Sequence, residues 1–147
     1  MTLASQYTTF CSTAAIDFST LSDVKAYVAT SMSDGKVKMK RVLDAPAGEG
    51  LLIKGTLGTY SLTKAQTSTK PANLLVGVTT DTEIAPIYSD YTNFILANGS
   101  NGIGFYKVST TGTLVAGKAY LPIPTADIAN SRGIILEFDD TDVSSID

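Results

Sequence analysis

The stretch VLDAPAGEGLLIKG, Val42 to Gly55, sets closely spaced glycines beside a lysine. Those are the ingredients of a loop that wraps a phosphate. The chemistry needs more, namely a lysine directly after the last glycine, then Ser or Thr, then a helix whose N-terminal amides face the anion. Here Lys54 precedes Gly55, Thr56 follows with no lysine between, and TLGTYSLT continues as strand and turn. A dinucleotide fold is excluded as well, because no βαβ unit surrounds the glycines. The stretch therefore reads as a tight turn over Pro46–Gly50. Pro46 fixes φ, Gly48 and Gly50 supply freedom, and Leu51, Leu52 and Ile53 continue as a buried strand.

Other reactive constellations are equally sparse. The chain has no histidine, which removes Ser-His-Asp and Cys-His catalysis and the commonest zinc ligand. Three glutamates, Glu49, Glu83 and Glu137, stand in unrelated contexts, so no carboxylate pair of the glycosidase kind is set by spacing. They read as solvated surface charge. The acidic run DDTDVSSID (139–147) lacks the central glycine and distal glutamate of a calcium loop and reads as a tail or linker. Cys11 is the single cysteine; it forms no internal disulfide and reads as a small buried hydrophobe. No metal site, no cofactor and no enzymatic activity are expected. Lys36, Lys38 and Lys40 alternate with Val37 and Met39, a pattern that protects an exposed edge strand.

The remaining side chains with recognition chemistry are tyrosines: Tyr27, Tyr60, Tyr88, Tyr91, Tyr106 and Tyr120. Several fall on the face opposite the apolar one, Tyr27 among them, across from Val24, Ala26 and Val28. Flat aromatic surfaces stack on sugar rings, although tryptophan, absent here, is the usual choice. The segment TEIAPIYSDYTN (82–93) holds two tyrosines and Pro86, and it reads as a loop longer than a tight connection needs. Tyr88 and Tyr91 are the candidate ligand contacts.

The elements that must position these residues are strands. Apolar and other residues alternate with period two in AIDFS, VKAYVAT, KVKMK, GLLIKG, TYSLT, NLLVGVT, TNFILA, GIGFYKVS, GKAYLPI and GIILEF. Turn signals separate them: SDGK, PAGEG, TLGT, NGSNG, TTGT and VAGK. An all-β fold follows, an antiparallel sandwich or partly closed barrel of about ten short strands. A short helical turn is expected near 125–132, with Thr125 as its cap. VLDAPAGEGLLIKG (42–55) also echoes TGTLVAGKAYLPIP (111–124), and VKAYV (24–28) echoes GKAYL (117–121). Two related halves joined near 64–90 would explain both.

With 147 residues and a net charge of −3, the chain suits a single domain, taken as 1–139, with 140–147 as a flexible tail or linker. Its acidic balance excludes the electrostatic footprint of a nucleic-acid binder. No apolar run approaches the roughly 18 residues of a membrane span. Residues 1–20 lack the basic start and apolar core of a leader, leaving a cytoplasmic protein or an excised domain of an exported one.

Taken in order, TTFCSTAAIDFST, VKAYVAT, APAGEGLLIKGTLGTY, NLLVGVT, NFILANGSNGIGFYKVS, LVAGKAYLPIP and LEFDD resemble a β-module of secreted and surface proteins of gut and oral Bacteroidetes. The resemblance spans about residues 3–140, with Glu49 departing from the small or hydroxyl residue the pattern prefers. Such modules are non-catalytic and sit near the C-termini of large exported proteins. Their neighbours are leucine-rich repeats, immunoglobulin-like domains or glycan-degrading enzymes. The resemblance implies a cell-surface location, neighbouring domains of a larger parent chain as partners, and a spacer, adhesion or docking role. A carbohydrate-binding module and a self-associating unit of a surface assembly are the alternatives. It supplies no ligand.

Overall fold

The computed structural model describes residues 1–100, 102–128 and 133–139; the expected tail, 140–147, lies outside them. Period-two alternation becomes seventeen strands. In the first part of the chain these are β1 (Thr2–Leu3), β2 (Tyr7–Phe10), β3 (Ile16–Asp17), β4 (Val24–Ser33), β5 (Lys36–Val42), β6 (Asp44–Ala45), β7 (Leu51–Gly55), β8 (Gly58–Thr59) and β9 (Thr63–Lys64). The second part has β10 (Val76–Val78), β11 (Thr82–Ile84), β12 (Ile87–Tyr88), β13 (Tyr91–Gly99), β14 (Gly102–Lys107), β15 (Gly112–Leu114), β16 (Lys118–Pro124) and β17 (Gly133–Asp139). The only helical piece among the described residues is a 3-10 turn, Thr125–Asp127. Thr125 does not cap it; its hydroxyl pairs with that of Thr92 at 2.9 Å.

Ten strands form one nearly closed, barrel-like sheet in the order β10-β16-β13-β14-β17-β5-β4-β7-β2, with β12 paired to β13. Every pairing is antiparallel except β17 with β5, which is parallel. The barrel interior is filled by Tyr27, Val37, Met39, Leu52, Phe94, Phe105, Leu121, Ile123 and Ile134. Burying each such side chain stabilises by about 1.5–3 kcal/mol. A second apolar cluster lies on the outer face of β4 and β7, made by Val24, Ala26, Val28, Leu51 and Ile53 under Leu3, Ile16 and Phe18. Strand β4 is therefore buried on both faces. Tyr27, expected on a polar face, is fully buried inside the barrel with its ring edge-on to Phe138 at 4.8 Å.

The chain folds as two copies of one unit. Strands β2-β7-β4-β5 repeat as β10-β16-β13-β14, and the pair β3–β6 repeats as β11–β15. The registers match pair by pair. Val24 stands opposite Gly55, Ala26 opposite Ile53 and Tyr27 opposite Leu52. Their counterparts are Tyr91 opposite Pro124, Asn93 opposite Pro122 and Phe94 opposite Leu121. Gly48 donates to the Ser12 carbonyl at 2.7 Å as Gly117 donates to that of Val78 at 2.8 Å. Both glycines hold the left-handed φ that the shared turn requires. The echo of 42–55 in 111–124 is this repeat. The echo of VKAYV in GKAYL is not, because β4 corresponds to β13 rather than β16.

The two copies meet where the sheet closes. Cys11 N–H donates to Gly117 O at 2.8 Å, and Ala119 N–H donates to Thr9 Oγ1 at 3.1 Å. Cys11 directly follows β2 and Gly77 lies within the corresponding β10, and they face each other so closely that a Cβ on Gly77 would stand 2.5 Å from Cys11 Sγ. The linker between copies, 56–75, is anchored by Asn73. Its Oδ1 accepts from Ala29 N–H at 3.0 Å and Leu75 N–H at 3.1 Å, while Nδ2 donates to Glu49 Oε2 and Gly50 O, both at 2.7 Å. All four amide hydrogen-bond sites are used.

Two charge readings change in the structure. Glu49 is 4% exposed rather than a solvated surface group, because Asn73 and the Lys70 ammonium, 3.0 Å away, satisfy its carboxylate. Strand β5 is not an edge. Lys36 and Lys38 do face solvent, but β4 and β17 flank their strand on both sides.

Candidate functional site

A groove of about 560 Å³ opens on the outer face of the second copy. Tyr120 and Pro122 reach it from β16, Tyr91 and Asn93 from β13, Tyr88 from β12, and Thr82, Glu83 and Ile84 from β11. The 82–93 segment is not one long loop. It is β11, a turn through Ala85 and Pro86, then a tight β12–β13 hairpin at Ser89-Asp90. That hairpin puts Tyr88 directly opposite Tyr91, as a cross-strand pair on one face. Asn93 fixes the turn: its N–H donates to Pro86 O and its Nδ2 to Ala85 O, both at 2.9 Å. Ser89 holds a left-handed φ of 55°, which costs a non-glycine residue about 1–2 kcal/mol and is sustained by these bonds.

Both sequence-predicted contacts lie in this groove. Tyr88 is 75% exposed and Tyr91 45%. Tyr120, named among the tyrosines but not as a candidate contact, joins them. The other tyrosines do not: Tyr27 is inside the barrel, Tyr60 packs under the first copy and donates to Thr56 O, and Tyr106 donates to Gly102 O.

The first copy shows what this face does elsewhere in the same fold. Val24, Ala26, Leu51 and Ile53 occupy the positions of Tyr91, Asn93, Tyr120 and Pro122. There the four are apolar and buried beneath Met1, Leu3, Leu21, Tyr60 and Leu62. Tyr60 and Leu62 belong to the linker, whose β9 pairs with β3. Among the described residues no comparable segment follows β16. The face is left open, and its residues are aromatic and polar instead of aliphatic.

The electrostatics are one-sided. Glu83 lines the groove, Asp81 and Asp90 are exposed nearby, and no Lys or Arg is among the groove's described lining residues. Groups of three or more His, Cys, Asp or Glu able to hold a metal are absent among the described residues. Cys11 is buried at the closure, away from the groove. Burial first, and then the Glu49 carboxylate, push its thiol above the ordinary range, which favours the unreactive protonated form. No helix among the described residues is long and apolar enough to cross a membrane. Comparison with protein-family models, with curated proteins and with solved structures returned no match.

Proposed function

We propose that this chain is a non-catalytic binding module of an exported surface protein, docking its partner in the tyrosine groove. The observation that carries this reading is the asymmetry of the repeat. One copy buries this face under β1, β3 and the linker residues Tyr60 and Leu62; in the other, among the described residues, the same face is open and lined with Tyr91, Asn93, Tyr120 and Pro122. An open concave surface with aromatic walls and few polar groups is the usual form of a binding site. The export and surface location rest on the ordered sequence resemblance. The test screens the intact chain against plant and host polysaccharides in one arm and peptides in another, then repeats each hit with Tyr88→Ala and Tyr91→Ala. Loss of the hit in folded variants supports the groove. A hit that survives both changes, or silence in both arms, overturns it.

The exposure of Tyr88 and Tyr91 favours a second reading, a carbohydrate-binding groove in which sugar rings stack on both. Little area is buried in such stacking, so affinities would be about millimolar to high micromolar.

A further inference from the structure

We infer that β11 accepts an added strand: an extended peptide pairs antiparallel with its open edge and sets alternate side chains into the tyrosine groove. The inference rests on the groove being the binding surface and names its occupant.

The argument is the molecule's own first copy. There β3 is the middle strand of three, with β6 on one edge and β9 on the other. Phe18 N–H donates to Leu43 O on the β6 side, and Ala65 N–H donates to Ala15 O on the β9 side. Backbone groups of neighbouring strand residues point to opposite edges, so Ala15 and Asp17 serve β9. In the second copy β11 corresponds to β3, because Thr82 and Glu83 stand opposite Leu114 and Thr113 as Ile16 and Asp17 stand opposite Ala45 and Asp44. Only the β15 edge is paired among the described residues. The other edge presents the backbone of Asp81 and Glu83, beside the groove. A strand there would regain for β11 what β9 gives β3, with main-chain bonds for affinity and alternate side chains for selectivity.

The occupant's chemistry follows from the same template and from charge. In the first copy Tyr60 and Leu62, two residues apart, pack onto the shared face just before β9. The groove accordingly takes bulky apolar or proline side chains at every second position. Glu83 lines it, Asp81 and Asp90 adjoin its lining residues Thr82 and Tyr91 in the chain, and none of its described lining residues is a cation, which favours Lys or Arg at the intervening positions.

The experiment selects dodecapeptides from a random phage-displayed library on the intact chain, then titrates synthetic winners. The expected winners alternate apolar residues with Lys or Arg. Their affinity should fall about tenfold or more with Tyr91→Ala. N-methylation scanned along the peptide, which leaves the protein untouched, should abolish binding at alternate amides and spare those between. Binding indifferent to N-methylation, winners without alternation, or an empty selection each overturn the added strand. If polysaccharides bind in a Tyr91-dependent manner and peptides do not, the strand is overturned while the groove stands. Peptides that bind equally well to Tyr88→Ala and Tyr91→Ala overturn both.

Discussion

Asn73 is the residue through which the linker, the closing turn and β4 hold together. Replacing it with Ala strands two backbone amides and leaves Glu49 with only Lys70, whose side chain is 71% exposed. A loss of about 2–4 kcal/mol is expected, measurable as a lowered denaturant midpoint with an unchanged slope. Leu51→Ala and Ile53→Ala are expected to cost about 2–5 kcal/mol, since both side chains are essentially fully buried. Lys54→Ala is expected to cost more than a solvent-facing lysine would, about 0.5–1 kcal/mol, because its ammonium lies 4.7 Å from the Phe138 ring centroid. Cys11 gives a pH signature. Its thiol is held above the ordinary range by burial and by Glu49, so the folded chain binds that proton more tightly than the unfolded chain. The contribution is complete below the unfolded thiol value of about 8.5 and is lost as pH rises through the folded value. Stability should therefore decline on the alkaline side, and Cys11→Ala should flatten that decline. The burial of Cys11 was legible from its apolar surroundings in sequence. Glu49 was not, because Lys70 and Asn73, which satisfy it, lie far along the chain.

Alternation reveals which residues share a face, and at the level of elements that is both its strength and its limit. It located the strands and the turns between them. It did not reveal that β4 is covered on both sides, which is why Tyr27 read as outward-facing, nor which strands neighbour β5, which is why its lysines read as edge protection. The groove was half legible. Tyr88 and Tyr91 stood out by type and spacing, but openness depends on what fails to cover a face, and that is a property of a distant linker. The echo of 42–55 in 111–124 held one more signal, since it places Leu51 and Ile53 against Tyr120 and Pro122. A face that is aliphatic in one copy and aromatic in the other marks a change of duty. The elements differ accordingly in their response to truncation. Leu62→Ala should destabilise by about 1–2 kcal/mol, since it uncovers the second apolar cluster. Tyr88→Ala should shift the melting temperature little, since that side chain is mostly in water; thermal denaturation of the two variants side by side checks this.

As a whole, the molecule is a barrel assembled from two copies that share one interior. Neither copy encloses that interior alone, because Tyr27, Met39 and Leu52 from one pack with Phe94, Phe105 and Leu121 from the other. Chains cut within the linker should therefore be largely unstructured apart and regain the β spectrum when mixed, as followed by far-UV circular dichroism. Refolding of each piece by itself would contradict the shared core. Strand β17, which belongs to neither copy of the repeat, joins the two by lying between β5 and β14. Residues 133–139 thus complete a wall begun at residues 36–42. On the ribosome, the partners of β5 on that side are still unmade after most of the barrel has emerged. Loops of such length close slowly and reward the chain only at the end. The barrel consequently reaches its final form only after β17 has left the tunnel, and the exposed flanks of β5 and β14 must stay unengaged until then.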